Sequence, residues 1–537
     1  MAQAHIARRT LWFIGGLATS LIGIPGLALI TSVGEDGIDA RRLHGDPYNI
    51  TGAKISIGQV EIGRPPMFGL DKTAPENFAV RLSQVFFQDE LARANDYVDG
   101  HASNVASVMI STDKSLTGVA PGARLYSAAA GFMPGNGQPL ECLASQTVAL
   151  QNGNDVRAIN FSFGESLLRD PRPDARLDGN ALLTQCIDWS ANIHNVLYVI
   201  AGNQGRGGIP IPTDNFNGIN VSNSRQIDGE FIKVDVSNLG SEPAVVIGRL
   251  PELESNVGAR RSITLVAPGT GIEMFNPDGT TTRSTGTSFA APHVTAAVAL
   301  IQEFGDRQLR THAPNWSLDS RQSEVSKVIL LNSADKIEDE GNGLHLGMRR
   351  TIIDQRNRNW LESDAYANPA IPLDAELGTG HLNAFRAYQQ FSGGQWKASD
   401  PIAAIGWDYD QVGLTNDTPE YRDYVFNAPL AANSYLSVTL AWNRQVTLSD
   451  RNGNDLFDID EEFMDGGLNN LDLYLMPADA TDTSDRLWSS VSTVDSTEHM
   501  FYRIPSTGRY KLRVVYRNQA NEPFQSYALA WWGVPSR

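Results

Sequence analysis

Residues 286–293 read Gly286-Thr287-Ser288-Phe289-Ala290-Ala291-Pro292-His293, and Ser288 is the residue in the chain best placed to do chemistry. Glycine and a small residue before it let the chain turn tightly. The hydroxyl is thereby presented at the start of an apolar run that continues to Phe304. A helix N-terminus carries the positive end of the backbone dipole, which favours a nucleophile gathering negative charge. The small residues after Ser288 let such a helix pack closely. A serine hydroxyl alone is a poor nucleophile, so the fold must also bring it a base, and an acid that orients the base.

Two further sets of residues carry chemistry of a different kind. The run from Asp450 to Glu461 places side-chain oxygens at Asp450, Asn452, Asn454, Asp458 and Glu461. That spacing resembles an EF-hand-type calcium loop, whose alternate side chains converge on one hard cation. Asp455 stands where such a loop wants glycine and Gly453 is displaced, so a solvated acidic hairpin loop is the competing reading. The two cysteines, Cys142 and Cys186, allow one disulfide, with two buried free thiols as the alternative. They are too few for a zinc site.

The 537 residues carry 43 Lys+Arg against 61 Asp+Glu, a net charge of −18. Nucleic acid and anionic membrane surfaces would not be attracted to such a chain, and neither is expected as a partner. A hydrophobic content of 41% with 8% aromatics fits folded globular domains, and the length asks for two or three of them. Collagen, coiled-coil and multi-span membrane architectures are excluded. At the N-terminus Arg8 and Arg9 precede the apolar run Leu11–Ile24, Pro25 breaks it, and Gly26-Leu27-Ala28 offers a cleavage site after Ala28. Residues 1–28 are therefore predicted to direct export, giving a secreted or periplasmic protein in which a Cys142–Cys186 bridge is permitted. The run Leu11–Ile30 is also long enough for an uncleaved anchor, the one route to a membrane.

Strands and helices alternate around these residues. Ala53–Val60 (AKISIGQV), Arg124–Ala130, Ala158–Ser162 (AINFS), Val196–Ala201 (VLYVIA) and Ile263–Ala267 (ITLVA) read as buried strands. Asn77–Arg93, Leu143–Asn152, Ala181–Asn192 and Ser288–Phe304 read as helices, the last apolar almost all round. The alternation predicts an α/β fold, a parallel sheet covered by helices on both faces. Past about Gly393 the period becomes two. Leu436, Val438, Leu440 and Trp442 alternate with Ser437, Thr439 and Ala441, and Tyr510, Leu512, Val514 and Tyr516 repeat the pattern. That predicts an all-β antiparallel sandwich. The domain plan is a signal or anchor at 1–28, an N-terminal extension at 29–50, an α/β domain at 51–394 and a sandwich at 395–537.

The octet closely resembles the serine motif of the subtilases, the subtilisin-like serine peptidases, and other segments follow in that family's order. His101-Ala102-Ser103-Asn104-Val105-Ala106-Ser107 looks like the histidine motif, and Gly118–Tyr126 (GVAPGARLY) like the segment after it. Ala158–Gly164 (AINFSFG) is similar to the substrate-binding strand, and Val199–Gly205 (VIAGNQG) to the oxyanion-asparagine segment. Val266–Gly269 (VAPG) precedes the serine as in the family, and Gly378–Ala387 (GTGHLNAFRA) looks like the end of its domain. The likeness covers about residues 51–392. It implies a subtilisin-like sheet, His101 as base, Asn203 as side-chain donor to the oxyanion, and Ser162, Phe163 and Gly164 as backbone partners of an extended peptide.

Subtilases run acid, base, nucleophile along the chain, which places the acid upstream of His101. The family has Asp-Ser/Thr-Gly there, whereas this chain has Glu61-Ile62-Gly63. Glu61 is assigned as the orienting acid, with Asp71 and Asp99 as rivals. Ala102 and Asn104 are further departures, standing where the family has a glycine and a second histidine. The related sedolisins use a glutamate with a further aspartate, and an aspartate as oxyanion donor. Arg64, Pro65 and Asn203 stand at those places, so subtilase chemistry fits better.

The expectation is an exported serine endopeptidase that hydrolyses peptide bonds through an acyl-enzyme on a Glu61–His101–Ser288 triad. It is expected to act on polypeptides as a monomer, to need no cofactor for its chemistry, and to hold at most a structural calcium ion. The sandwich is similar to C-terminal domains of some secreted subtilases. Only Leu29–Tyr48 lies between the signal and the first strand region, less than the folded propeptide common in the family. Folding is therefore expected either without an internal chaperone or with help from the sandwich and calcium. A catalytically silent binding protein on the same fold, or a carbohydrate- or surface-binding module carried by the sandwich, are the alternatives.

Overall fold

Strand β1, Ser56–Glu61, is buried along its whole length, as a strand covered on both faces must be. Its one glycine has a packing reason: a Cβ on Gly58 would stand 2.3 Å from Val148 Cγ1. The computed structural model describes residues 29–133, 135–173, 175–202, 210–234 and 259–536. The expected signal segment 1–28 and Asn203 lie outside the described residues.

Eight more strands join β1: β2 (Gln84–Phe87), β3 (Glu90–Leu91), β4 (Arg124–Ala129), β5 (Val156–Phe161), β6 (Leu197–Ala201), β7 (Ile219–Ile227), β8 (Glu230–Val234) and β9 (Leu265–Pro268). With the short strand Ile352–Ile353 they form a sheet in the order Ile352–Ile353, β8, β7, β6, β5, β1, β4, β2, β3, and β9 also pairs with β7. The central pairs from β2 through β7 are all parallel. Glu61 ends β1 opposite Ala129, and Val60 lies opposite Phe161 at the end of β5. The carboxyl ends of these strands therefore share one edge, where α/β sheets bind their ligands.

Alternate strand residues feed two cores. Ile57, Ala158, Leu197 and Val199 join one cluster, and Val60, Ile159, Tyr198 and Ile200 the other, as a period of two requires. On the first face lie the histidine helix, Gly100–Ile110, and the serine helix, Thr287–Arg310. On the second lie Gln138–Ala149 and Leu182–Ile193, tied by Cys142 and Cys186, whose Cα atoms are 5.8 Å apart across a disulfide. The extension at 29–50 is part of the first core. Leu29, Val33 and Leu43 are fully buried there, and Ser32 Oγ lies 2.9 Å from His293 Nε2 of the serine helix.

The stretch 77–93 is not a helix. Gln84-Val85-Phe86-Phe87 forms an edge strand parallel to β4, and Gln88 turns the chain at φ 54° before β3 returns. Val85, Phe86 and Phe87 suit a strand once β4 offers an open edge, which the local pattern alone does not show.

Beyond Gly393 two four-stranded antiparallel sheets stack. One contains Ile405–Gly413, Phe524–Trp532, Tyr435–Ala441 and Thr497–Arg503, the other Tyr421–Val425, Tyr510–Asn518, Asn470–Pro477 and Trp488–Ser490. Trp442, Leu473, Leu512 and Trp531 belong to the core between them. The first sheet is buried on its outer face as well. Ser437 Oγ and Thr439 Oγ1 donate to Asn332 Oδ1 at 2.9 and 3.1 Å, so the polar residues of this strand face the α/β domain rather than water. A hairpin from the sandwich, Gln445–Leu448 with Phe463–Gly467, packs over the disulfide through Val446, Phe457 and Phe463. Among the described residues no helix is long and apolar enough to cross a membrane.

One buried ion pair joins the two domains. Arg444 Nη2 is 2.8 Å from Asp188 Oδ2, both side chains being almost fully buried, and it also donates to the Gly179 carbonyl at 2.7 Å. Breaking a buried pair from one side leaves a lone charge and costs about 3–5 kcal/mol. Arg444→Met should therefore lower the urea midpoint by an amount equivalent to about 3 kcal/mol or more, and Arg444→Met with Asp188→Asn should lose less than Arg444→Met alone.

Candidate active site

The site assembles at the carboxyl edge of the sheet. Glu61 is the last residue of β1, and its carboxylate turns inward with only 3% of the side chain exposed. His101 is the second residue of the histidine helix, which Asp99 caps by accepting the Ala102 N–H at 2.9 Å. That cap fixes where the helix begins and hence where the imidazole stands. Glu61 Oε2 lies 3.2 Å from His101 Nδ1, and the imidazole keeps 39% of its surface open to solvent. Its ring centre is 5.5 Å from that of Phe289, the residue after Ser288.

The three candidate acids separate cleanly. Asp71 takes a two-pronged contact from the buried Arg64 at 2.6 and 2.8 Å and also accepts the Met67 and Asn95 amides. Asp99 is the helix cap. Glu61 alone among them contacts the imidazole.

Charge and burial act against each other here. Partial burial pushes the His101 pKa down, but the Glu61 carboxylate, by charge and hydrogen bond, and Asp99 by charge, bring it out above the ordinary 6.5. Glu61 is itself raised, because burial disfavours its charge more than His101 favours it.

Ser288 is the second residue of the serine helix and lies half-buried between the buried Thr287 and Phe289. Its hydroxyl donates to the Ser162 carbonyl at 3.1 Å, and Ser162 Oγ donates in return to the Ser288 carbonyl at 2.8 Å. Ser162, Phe163 and Gly164 run straight on from β5, with Phe163 stacked on Phe161 at 5.1 Å between ring centres. Asn104 donates to the Phe275 carbonyl at 2.8 Å, so it braces the hairpin Ile272–Phe275/Thr281–Ser284 that leads into the serine helix. Sequence reasoning missed the hydroxyl of Ser162 and its support by Asn160, whose Nδ2 donates to Ser162 Oγ at 2.8 Å. The available signal was Pro292, four residues beyond Ser288.

The acidic loop comes together, but on itself. Asp458 Oδ2 accepts the Asn452 and Asn454 side-chain amides at 2.7 and 2.9 Å. Asp450 takes the backbone N–H groups of Asn452, Gly453 and Asp455, and Glu461 those of Arg451 and Asp458. Asn452 and Asn454 thus turn their N–H groups to Asp458, and the loop closes on its own hydrogen bonds. Among the described residues no group of three or more His, Cys, Asp or Glu side chains could hold a metal ion.

A parallel sheet flanked by helices, with a serine-bearing helix and a histidine-bearing helix meeting at its carboxyl edge, defines the class: this is a subtilisin-like serine-peptidase fold. The sequence model of the Subtilase family (peptidase S8) matches residues 35–348, more than half of the chain, and the protein belongs to that family. Subtilisin NAT of Bacillus subtilis subsp. natto is 28% identical over 281 residues, 50% of this chain and 60% of that protein. Subtilisin Savinase of Lederbergia lenta is 27% identical over 224 residues, 40% of this chain and 70% of that protein. The chain thus spans about 60% of the length of the first of these relatives. Among solved structures, that of the prenylagaramide maturation protease PagA aligns at 22% identity and a TM-score of 0.40, over 68% of this chain and 98% of that one.

The Glu61–His101 contact makes a prediction that needs no substrate. Followed by NMR, the His101 ring should titrate above 6.5 in the wild type. In Glu61→Gln the negative charge that raises the imidazole is gone, so the midpoint should fall. An unchanged midpoint would place the cause elsewhere.

Proposed function

We propose that the protein is an active, exported serine peptidase that cleaves peptide bonds through an acyl-enzyme on a Glu61–His101–Ser288 triad. The observation that carries this reading is the 3.2 Å contact between the Glu61 carboxylate and His101 Nδ1, beside the helix that begins at Thr287. With Nδ1 engaged by Glu61, the imidazole has Nε2 free to act as base.

In the proposed reaction Ser288 Oγ attacks the scissile carbonyl carbon while His101 Nε2 takes its proton. Glu61 stabilises the imidazolium without itself being protonated. The oxyanion is held by the Ser288 backbone N–H and the Asn203 side-chain amide, the loss of one such donor raising the barrier by about 3–4 kcal/mol. His101 then returns the proton to the leaving amine, and water, activated by the same imidazole, frees Ser288. Ser162–Gly164 would align the substrate by backbone pairing, continuing from the β5 edge. Glutamate is one methylene longer than aspartate; in this reading its full burial at the strand end holds the longer arm in place. No cofactor takes part in these steps, and none is routed through a cation at the 450–461 loop. A monomeric enzyme is proposed, with the sandwich stabilising the peptidase domain, since its first sheet is buried against that domain on its outer face.

The test is intact mass after treatment with a fluorophosphonate. One adduct, mapped to Ser288 and absent from Ser288→Ala, is the expected result. Removing the orienting acid costs on the order of 10⁴ in kcat in a serine peptidase, so Glu61→Gln should label at least a hundredfold more slowly. Well-folded wild-type protein that takes no adduct would favour the silent binding protein instead.

A further inference from the structure

Proline sits at an awkward place in the serine helix. In an α-helix the carbonyl of residue i accepts the N–H of residue i+4. The partner of the Ser288 carbonyl would be the N–H of residue 292, but Pro292 has none, and its ring crowds that same carbonyl. The nucleophile's own carbonyl is thereby left without its helical donor, in a part of the fold where Thr287 and Phe289 on either side are buried.

Ser162 supplies what the proline withholds. Its Oγ donates to the Ser288 carbonyl at 2.8 Å. The direction of that bond is set from behind: Asn160 Nδ2 donates to Ser162 Oγ at 2.8 Å, so the Ser162 hydroxyl hydrogen is left to point at Ser288. Asn160 is held in turn by Thr295, on the same serine helix, whose hydroxyl donates to Asn160 Oδ1 at 3.3 Å. Asn160, Ser162 and Thr295 are all buried. The chain Thr295–Asn160–Ser162–Ser288 therefore starts and ends on one helix and passes through the end of β5.

We infer that the Ser162 side chain is a positioning residue for the reaction: it replaces the helical hydrogen bond that Pro292 deletes and so fixes the backbone of the nucleophile. This rests on the proposed peptidase reading and deepens it. Two groups that the chemistry needs, Ser288 Oγ and the Ser288 N–H, hang from the backbone so fixed. Loosening it misplaces both at once, and rates fall steeply with small misplacements of reacting groups. Peptide alignment by the 162–164 strand uses backbone groups, which a change in the Ser162 side chain leaves in place. The hydroxyl of Ser162 therefore acts on kcat, while the backbone groups of 162–164, including the Ser162 carbonyl that accepts the Ser288 hydroxyl, are left unchanged by its removal.

The deciding experiment is a cycle of Ser162→Ala, Pro292→Ala and the double variant, with Ser162→Thr alongside. kcat and KM are measured on a chromogenic peptide, and folding is checked by circular dichroism and thermal melting. Ser162→Ala should lose kcat roughly tenfold, the loss of about one buried hydrogen bond, with KM changed less than about threefold. The acid limb of its pH profile should stay at the wild-type position, because Glu61 and His101 are untouched. Pro292→Ala restores an N–H four residues beyond Ser288, so the double variant should recover at least about fivefold in kcat over Ser162→Ala. Ser162→Thr, which keeps the hydroxyl, should retain more kcat than Ser162→Ala.

A Ser162→Ala enzyme with wild-type kcat overturns the inference, and so does a folded double variant no faster than Ser162→Ala. Either result leaves the peptidase reading standing, since the wild type still turns over. If all the proteins fold and none hydrolyses peptide or takes a fluorophosphonate, the peptidase reading fails and this inference falls with it.

Discussion

The serine helix carries one demanding constraint: it is an interior helix whose first turn must nevertheless offer a polar group to substrate. Its residues from Phe289 to Ile301 are buried without interruption. It meets the sheet at β5, β6, β7 and β9, the histidine helix at its side, and the 384–392 helix near its far end. Enclosure of this kind leaves no water to satisfy stray backbone groups, so each must find a partner. The arrangement of neighbours around the first turn follows. Ser162 meets the Ser288 carbonyl, Asn160 and Thr295 meet one another, and His293, buried and held neutral with its pKa near 4, meets Ser32 of the N-terminal extension.

The same scarcity of water governs the acids. Three carboxylates lie near His101 in sequence or space, and each is committed to a distinct donor: Asp71 to Arg64, Asp99 to the helix N-terminus, Glu61 to the imidazole. A buried carboxylate is stabilised by a partner that can carry positive charge. At the end of β1 the imidazole is that partner, and a side chain one methylene longer than aspartate still reaches it.

The C-terminal sandwich is less independent than its separate core suggests. One sheet shares its outer face with the helices of the α/β domain, and a hairpin lies over the disulfide that joins two of those helices. Arg444 reaches across to Asp188 and lies over Phe216 with 4.5 Å between the guanidinium carbon and the ring centre. Polar residues on that sheet, such as Ser437 and Thr439, are buried because Asn332 answers them. The two domains are thus coupled by groups that would be costly to separate.

The chain's own order of residues decided the α/β class, the shift to a period of two near Gly393, and the octet around Ser288. These are local signals: a strand buried on both faces is apolar throughout, a half-buried one alternates, and a nucleophile's turn needs small residues. The likeness of HASNVAS and AINFSFG to subtilase motifs brought His101 and Ser162 into view for the same reason. The order of motifs pointed to Glu61 but left Asp71 and Asp99 as rivals, and only the tertiary structure shows what each carboxylate meets: the imidazole, Arg64 and the helix N-terminus in turn. It also decided that residues 84–87 form a strand, since a parallel edge becomes available only once β4 is placed. The loop from Asp450 to Glu461 has the spacing of a cation site, yet its asparagines spend their N–H groups on Asp458, a choice of side-chain rotamer that spacing does not encode. Pro292 was visible throughout. What it implied, a carbonyl at Ser288 needing a donor from elsewhere, became legible only when the fold brought Ser162, 126 residues away in sequence, to within 2.8 Å.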